Sequence, residues 1–188
     1  MSLTLFLKRL GIVYVSAPGA AGGKVRFGGA TEPLVWGAFA LYRTRDEAGK
    51  LYLKSVDVAD DMLLLRSRPE ALFTVARWFK LLLRHLMEAH ADDGLLANLY
   101  WNMRLLCGGL PVKAAEWRFI WRWLKSWGLA PDISKCASGT ASEVELLRFV
   151  STAKASRLES FEPKESLESC RRFFADASRR AEEYLTEI

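Results

Sequence analysis

The segment Lys50-Leu51-Tyr52-Leu53-Lys54 alternates strictly, so in a strand Leu51 and Leu53 share one face and Lys50, Tyr52 and Lys54 the other. An aromatic ring between two ammonium groups on a wet sheet face is what sequence-tolerant binding of single-stranded nucleic acid needs: the ring stacks on any base while the charges meet phosphates. The same alternation equally describes a solvated sheet face whose tyrosine covers the edge of the core. Further cations precede it in the chain, namely Lys8, Arg9, Lys24, Arg26, Arg43 and Arg45. Together with Lys50, Tyr52 and Lys54 they are the candidate DNA-binding residues.

A second constellation lies between Pro111 and Trp127. Arg118, Arg122 and Lys125 recur at helical spacing as one narrow basic stripe, while Trp117, Phe119, Ile120, Trp121, Trp123, Leu124 and Trp127 cover most of the remaining circumference. A helix that is apolar nearly all round is normally a buried central helix, and the stripe is then its one wet face. The functional alternative is a basic rim beside an aromatic groove, suited to an acidic peptide ending in an aromatic residue. Arg118, Arg122 and Lys125 are therefore candidate partner-binding residues.

Other chemistry is not indicated. No nucleophile elbow, H-E-x-x-H, P-loop or kinase-type order occurs, so neither an enzyme nor a catalytic residue is expected. Cys107, Cys136 and Cys170 are widely spaced without a CxxC pair, and His85 and His90 have no ligand-spaced partner. No metal site and no cofactor are expected from such a set, and a reducing compartment suits it.

These residues need elements to hold them. Residues 3–15 read as two strands around a tight turn at Lys8-Arg9-Leu10-Gly11, residues 16–30 as a Gly/Ala/Pro loop, and Leu34–Arg45 with Leu51–Val58 as a second strand pair. The result is a small antiparallel β unit. After Pro69 the apolar period becomes helical: one helix from Pro69 to about His90, one from Leu95 to Cys107 with Asp93 as its cap, and one from Pro111 to Trp127. A capping box at Ser142-x-x-Glu145 opens a fourth from Glu143, and Lys164–Leu185 forms the last. The expected fold class is α+β, with a small β domain over 1–62 followed by an all-helical domain over 63–188.

Composition agrees with a folded, non-membrane chain. Of 188 residues 51% are hydrophobic, which excludes disorder, and the longest apolar stretches are broken by Lys or Arg short of the ~20 residues a spanning helix needs. Met1–Leu7 has neither a basic lead nor a small-residue cleavage site, so a cytoplasmic protein without a signal peptide is expected. Lys and Arg number 27 against 22 Asp and Glu. Residues 1–54 hold eight basic and three acidic side chains and the remainder nineteen of each, which assigns the whole excess to the N-terminal part. A basic small β unit with interleaved aromatics is an OB-like nucleic-acid signature.

The order of segments resembles a known family. Leu3-Thr4-Leu5-Phe6, Leu10-Gly11-Ile12-Val13-Tyr14-Val15, Lys24-Val25-Arg26-Phe27-Gly28-Gly29-Ala30, Glu32-Pro33-Leu34, Leu41-Tyr42-Arg43 and Leu51-Tyr52-Leu53 are similar to the N-terminal barrel of the bacterial DNA repair protein RecO. Glu116-Trp117-Arg118-Phe119, Gly128-Leu129, Pro131-Asp132-Ile133 and Cys136 resemble its approach to a cysteine-bearing loop. Ser142 to Phe161 and Cys170-Arg171-Arg172-Phe173-Phe174 are similar to its later helices. The resemblance implies an OB-fold barrel and a helical domain in a recombination mediator that binds and anneals single- and double-stranded DNA. It also implies RecR and the acidic C-terminal tail of single-strand-binding protein as partners, RecA as an indirect one, and a place in the bacterial cytoplasm at the nucleoid. Three departures accompany it. The family begins one strand upstream of Met1, its basic loop is here mostly Gly and Ala around Lys24 and Arg26, and only Cys136 stands where many members carry a four-cysteine zinc site. Either the barrel is incomplete or the true start lies further upstream, no zinc is expected, and the alternative function is a protein-interaction adaptor that keeps the RecO framework without binding DNA.

Overall fold

The computed structural model describes residues 1–20, 27–45, 49–137, 139–161 and 164–186. They form two compact units: a sheet unit of Met1–Leu63 with Leu86–Asp93, and a helical unit of Leu64–His85 with Gly94–Ile188.

The sheet unit contains β1 (Ser2–Leu7), β2 (Gly11–Ser16), β3 (Trp36–Arg43) and β4 (Leu51–Asp60), with a 3-10 turn at Gly28–Thr31. Their order is β1-β2-β4-β3, so the sheet is open and β1 and β3 are its edges among the described residues. The pairs β1/β2 and β3/β4 are antiparallel hairpins, but β2 and β4 run parallel through Val15–Leu51 and Ser16–Tyr52. The expected all-antiparallel unit is thus corrected to a mixed sheet. Sequence patterns report hairpins between consecutive strands; here β3 intervenes in the chain between β2 and β4, and a long connection of that kind is what parallel pairing requires.

Val13, Val15, Ala17 and Leu53 are the buried centre of this unit, and Leu3, Leu5, Leu7, Phe39, Leu41, Leu51 and Val56 pack around them. Strict alternation from Leu53 would turn Val56 outward. A bulge between Ala40 and Leu41 sets Lys54 and Ser55 against a single residue of β3, and Phe39 opposite Val56 returns to the core face. The segment 86–93 completes the unit: Ala89 donates to the Ile12 carbonyl at 3.0 Å, Glu88 bridges Ile12, and the Arg9 amide donates to Asp93 Oδ1 at 2.7 Å. Gly11 is required there. Its φ is +70°, and a Cβ would stand 2.2 Å from the His90 carbonyl oxygen.

The helical unit is built around α4. In chain order the helices are α1 (Leu63–Arg66), α2 (Pro69–His85), α3 (Asp93–Cys107), α4 (Val112–Ser126), α5 (Ile133–Cys136), α6 (Ala141–Thr152), α7 (Ala155–Glu159), α8 (Lys164–Ser169) and α9 (Arg171–Thr186). Helices α2, α6, α8 and α9 pack on α4, and Trp117, Phe119, Ile120, Trp123 and Leu124 are fully buried. Trp78 of α2 stacks on Phe119 with centroids 4.4 Å apart, and Trp117 Nε1 donates to Ser151 Oγ at 2.8 Å. Glu116 is buried too, held by Arg77 and Lys113 at 2.9 Å each. No helix among the described residues is long and apolar enough to cross a membrane.

Three helix boundaries differ from those expected, and the short α1 is not among the expected helices. The first helix ends at His85, because the following residues pair with β2. The capping box opening α6 uses Thr140 and Glu143 in place of Ser142 and Glu145. The expected helix over 164–185 is broken at Cys170, beside Ser169, whose hydroxyl bonds back to the Ser166 carbonyl at 2.8 Å and competes with the backbone ladder. Helix α1 follows two Asx-type bonds, Asp60 Oδ1 accepting from the Met62 amide and Asp61 Oδ1 from that of Leu63.

The two units also change the charge map. Asp57, Asp60, Asp61, Glu88, Asp92 and Asp93 fall in the sheet unit, which then holds eight basic and nine acidic side chains; the helical unit holds nineteen and thirteen. The expectation that the basic excess belongs to the β domain is corrected: the excess belongs to the helical unit. A cut at residue 54 separates the cations of the sheet from acids that share its fold.

Candidate nucleic-acid face and candidate anion cleft

Register places the residues of the outer sheet face in rows. One row runs Ser2, Ser16, Tyr52, Tyr42 across β1, β2, β4 and β3; beside it Thr4 pairs with Tyr14, and the Thr44 amide donates to the Lys50 carbonyl just past the ends of β3 and β4. Tyr42 and Tyr52 are stacked, with centroids 5.4 Å apart and planes inclined by 18°. Tyr14 is 54% exposed and Tyr42 45%, so these rings are not core residues with a polar tip showing. Lys50 and Lys54 are exposed, Tyr52 is half-buried, and Leu53 beneath them is fully buried.

The candidate cations divide among several places. Lys50 and Lys54 flank the rings, and Arg43 and Arg45 lie at the end of β3 beside Lys50, Arg43 turned by alternation to the opposite side of the sheet from Tyr42. Lys8 and Arg9 occupy the exposed tip of the β1–β2 hairpin, about 10 Å along β2 from Tyr14. Asp93 stands beside that tip through its bond to the Arg9 amide. Lys24 and Arg26 lie outside the described residues. Tyr14 and Tyr42 are functional candidates that sequence reasoning passed over. The signal was present in the alternation of β2 and β3, but without register nothing places three rings on neighbouring strands.

In the helical unit the stripe Arg118, Arg122, Lys125 separates into two kinds of residue. Arg118 is 1% exposed and donates through Nη1 to the Val150 carbonyl at 2.8 Å. Arg122 donates through Nε to the Ser151 carbonyl at 2.9 Å and through Nη2 to those of Thr152 and Ala153 at 3.4 Å. Both arginines therefore satisfy carbonyls at the C-terminal end of α6, which lack helical partners and carry its negative dipole end. The wet-face expectation is corrected for Arg118. Burial, followed by repulsion from Arg122, pushes its guanidinium down to about 10, and burial also lowers Arg122. Only Lys125 is a solvated rim residue, its Nζ 5.0 Å from the centre of the Trp121 ring.

These side chains line a cleft of about 700 Å³ between α3, α4, the end of α6 and α7. Trp101 and Ala97 of α3, Trp121 of α4 and Ala155 of α7 supply apolar wall; Arg118, Arg122, Lys125 and Lys154 face a single carboxylate, Glu159. Two buried donors on the lining, Arg118 Nε and Trp121 Nε1, find no acceptor among the described residues. Both atoms are closed to solvent, so an anion entering the cleft meets the exposed Lys125 and Lys154. The cleft thus has the chemistry of a receptor for a carboxylate carried on an apolar or aromatic group.

Compared with protein-family models, with curated proteins and with solved structures, the chain matches none.

Proposed function

We propose that the chain is a non-enzymatic recombination mediator of the RecO kind, in which the sheet unit binds DNA strands and the helical cleft takes the acidic C-terminal tail of single-strand-binding protein. The observation that carries this reading is the stacked Tyr42–Tyr52 pair on a wet sheet face flanked by Lys50 and Lys54. The strand order supports an OB-type sheet as well. A five-stranded Greek-key barrel of that type places its strands in the order first, second, third, fifth, fourth, with third and fifth parallel. The order β1-β2-β4-β3, with β2 and β4 parallel, corresponds to the second to fifth of these. Annealing of paired strands, work with RecR and indirect loading of RecA in the bacterial cytoplasm belong to the same reading.

Fluorescence anisotropy with labelled single-stranded DNA at several salt concentrations tests it. Neutralising a phosphate with each of Arg45, Lys50 and Lys54 gives a log–log salt slope of about −2 for a single strand. Absence of binding at low salt removes the reading. The cleft, together with the basic excess of the helical unit, would then favour the adaptor that docks an acidic peptide and leaves DNA alone.

A further inference from the structure

We infer that the outer face around Tyr14, Tyr42 and Tyr52 is a base-stacking platform that selects single strands over duplex; the inference rests on the DNA-binding reading above. Tyr42 and Tyr52 stack on one another, so each has one ring face engaged and the other turned outward along the row. Tyr42 sits on the edge strand β3, where no further strand among the described residues covers its second face. On the other side Tyr52 has Ser16 as its neighbour, a side chain too small to cover an aromatic ring. Tyr14 stands one row along, opposite Thr4, and Lys50 directly precedes Leu51, the partner of Val15. Neighbouring strands are about 5 Å apart, so the rings lie within reach of successive bases, and the exposed Lys50 at the start of β4 is available to the backbone.

The selectivity follows from what each form of nucleic acid presents. A single strand offers unstacked π-faces, which the rings can cover whatever the base. In a duplex those faces are buried against neighbouring base pairs, and only phosphates and base edges are accessible. Duplex binding then uses the cations alone and is indifferent to the tyrosines, whereas single-strand binding uses both.

Anisotropy titrations with a labelled oligothymidylate and with a labelled duplex of the same length test this on the full chain. Tyr14→Ser and Tyr42→Ser change exposed side chains, and each is expected to weaken single-strand binding by about 5- to 150-fold, the range for losing one stacked base. Duplex affinity and both salt slopes stay unchanged, and Tyr42→Phe, which keeps the ring, binds the single strand like the parent. Lys50→Ala lowers the salt slope for both ligands by about one. Single-strand affinity that survives the double Tyr→Ser change, or an equal loss for both ligands, overturns the platform while leaving DNA binding standing. A parent chain that binds neither ligand overturns the DNA-binding reading and the platform with it.

Discussion

Arg118, Arg122 and Lys125 have the same spacing relation to one helix, yet the structure gives them unlike work. Arg118 is enclosed and bonded to the carbonyl of Val150, while Lys125 is solvated over Trp121. The difference is measurable in stability. Arg118→Leu removes the desolvation cost of a buried guanidinium but leaves carbonyls at the end of α6 without their donor, and a net loss of about 1–3 kcal/mol is expected. Lys125→Ala is expected to stay within about 0.5 kcal/mol, as exposed substitutions do. Urea midpoints at neutral pH compare the two variants; equal, small shifts would contradict the assignment of Arg118 to the α6 terminus. No sequence pattern distinguishes the two residues, because helical periodicity reports direction around an axis and not which neighbour ends there.

At the scale of elements, long periodic segments were legible and their ends were not. The apolar pattern around Trp117, Phe119 and Trp123 identifies α4 as central, and the switch of period after Pro69 separates strands from helices. What escaped was decided by tertiary partners: the pairing of Ala89 with Ile12 that ends α2, and the crossover that makes β2 and β4 parallel. The start of α6 shows local competition instead. Thr140 and Ser142 both stand three residues before a glutamate, and the structure uses Thr140, whose amide donates to Glu143 Oε2 at 2.7 Å. That bond holds the Glu143 carboxyl below its usual range. A folded-state pKa below the unfolded one contributes stability that is present above the unfolded pKa and lost as pH falls through the folded one. Glu143→Gln keeps a capping side chain without the titration, so its urea midpoint should fall less than that of the parent between neutral pH and pH ~3, below the ordinary glutamate value of about 4.3. An identical acid-induced loss in both proteins would count against the Thr140 box.

At the scale of the whole molecule, the basic excess belongs to the helical unit and the stacked rings to the sheet unit. Sequence order suggested otherwise because Asp57, Asp60, Asp61 and the segment 86–93 come after the basic strands in the chain yet belong to the same fold. The two proposed ligands therefore depend on different side chains and can be separated by mutation. Arg122 is a poor residue for that purpose, since its guanidinium holds the Ser151 carbonyl and its reversal would disturb α6. Lys125 and Lys154 line the same cleft, and Lys125 carries no helix end. Reversing both to glutamate places like charge against an incoming carboxylate, a juxtaposition that costs several kcal/mol at an interface. Capture of an acidic peptide ending in phenylalanine should drop by tenfold or more, roughly 1.4 kcal/mol at the least. The affinity for oligothymidylate and its salt slope should be those of the parent, because Tyr14, Tyr42, Tyr52 and Lys50 are untouched. Peptide affinity that survives the double reversal would show that the cleft is not the docking site. A matching fall in the DNA salt slope would show that the helical cations, and not the sheet face alone, neutralise the phosphates.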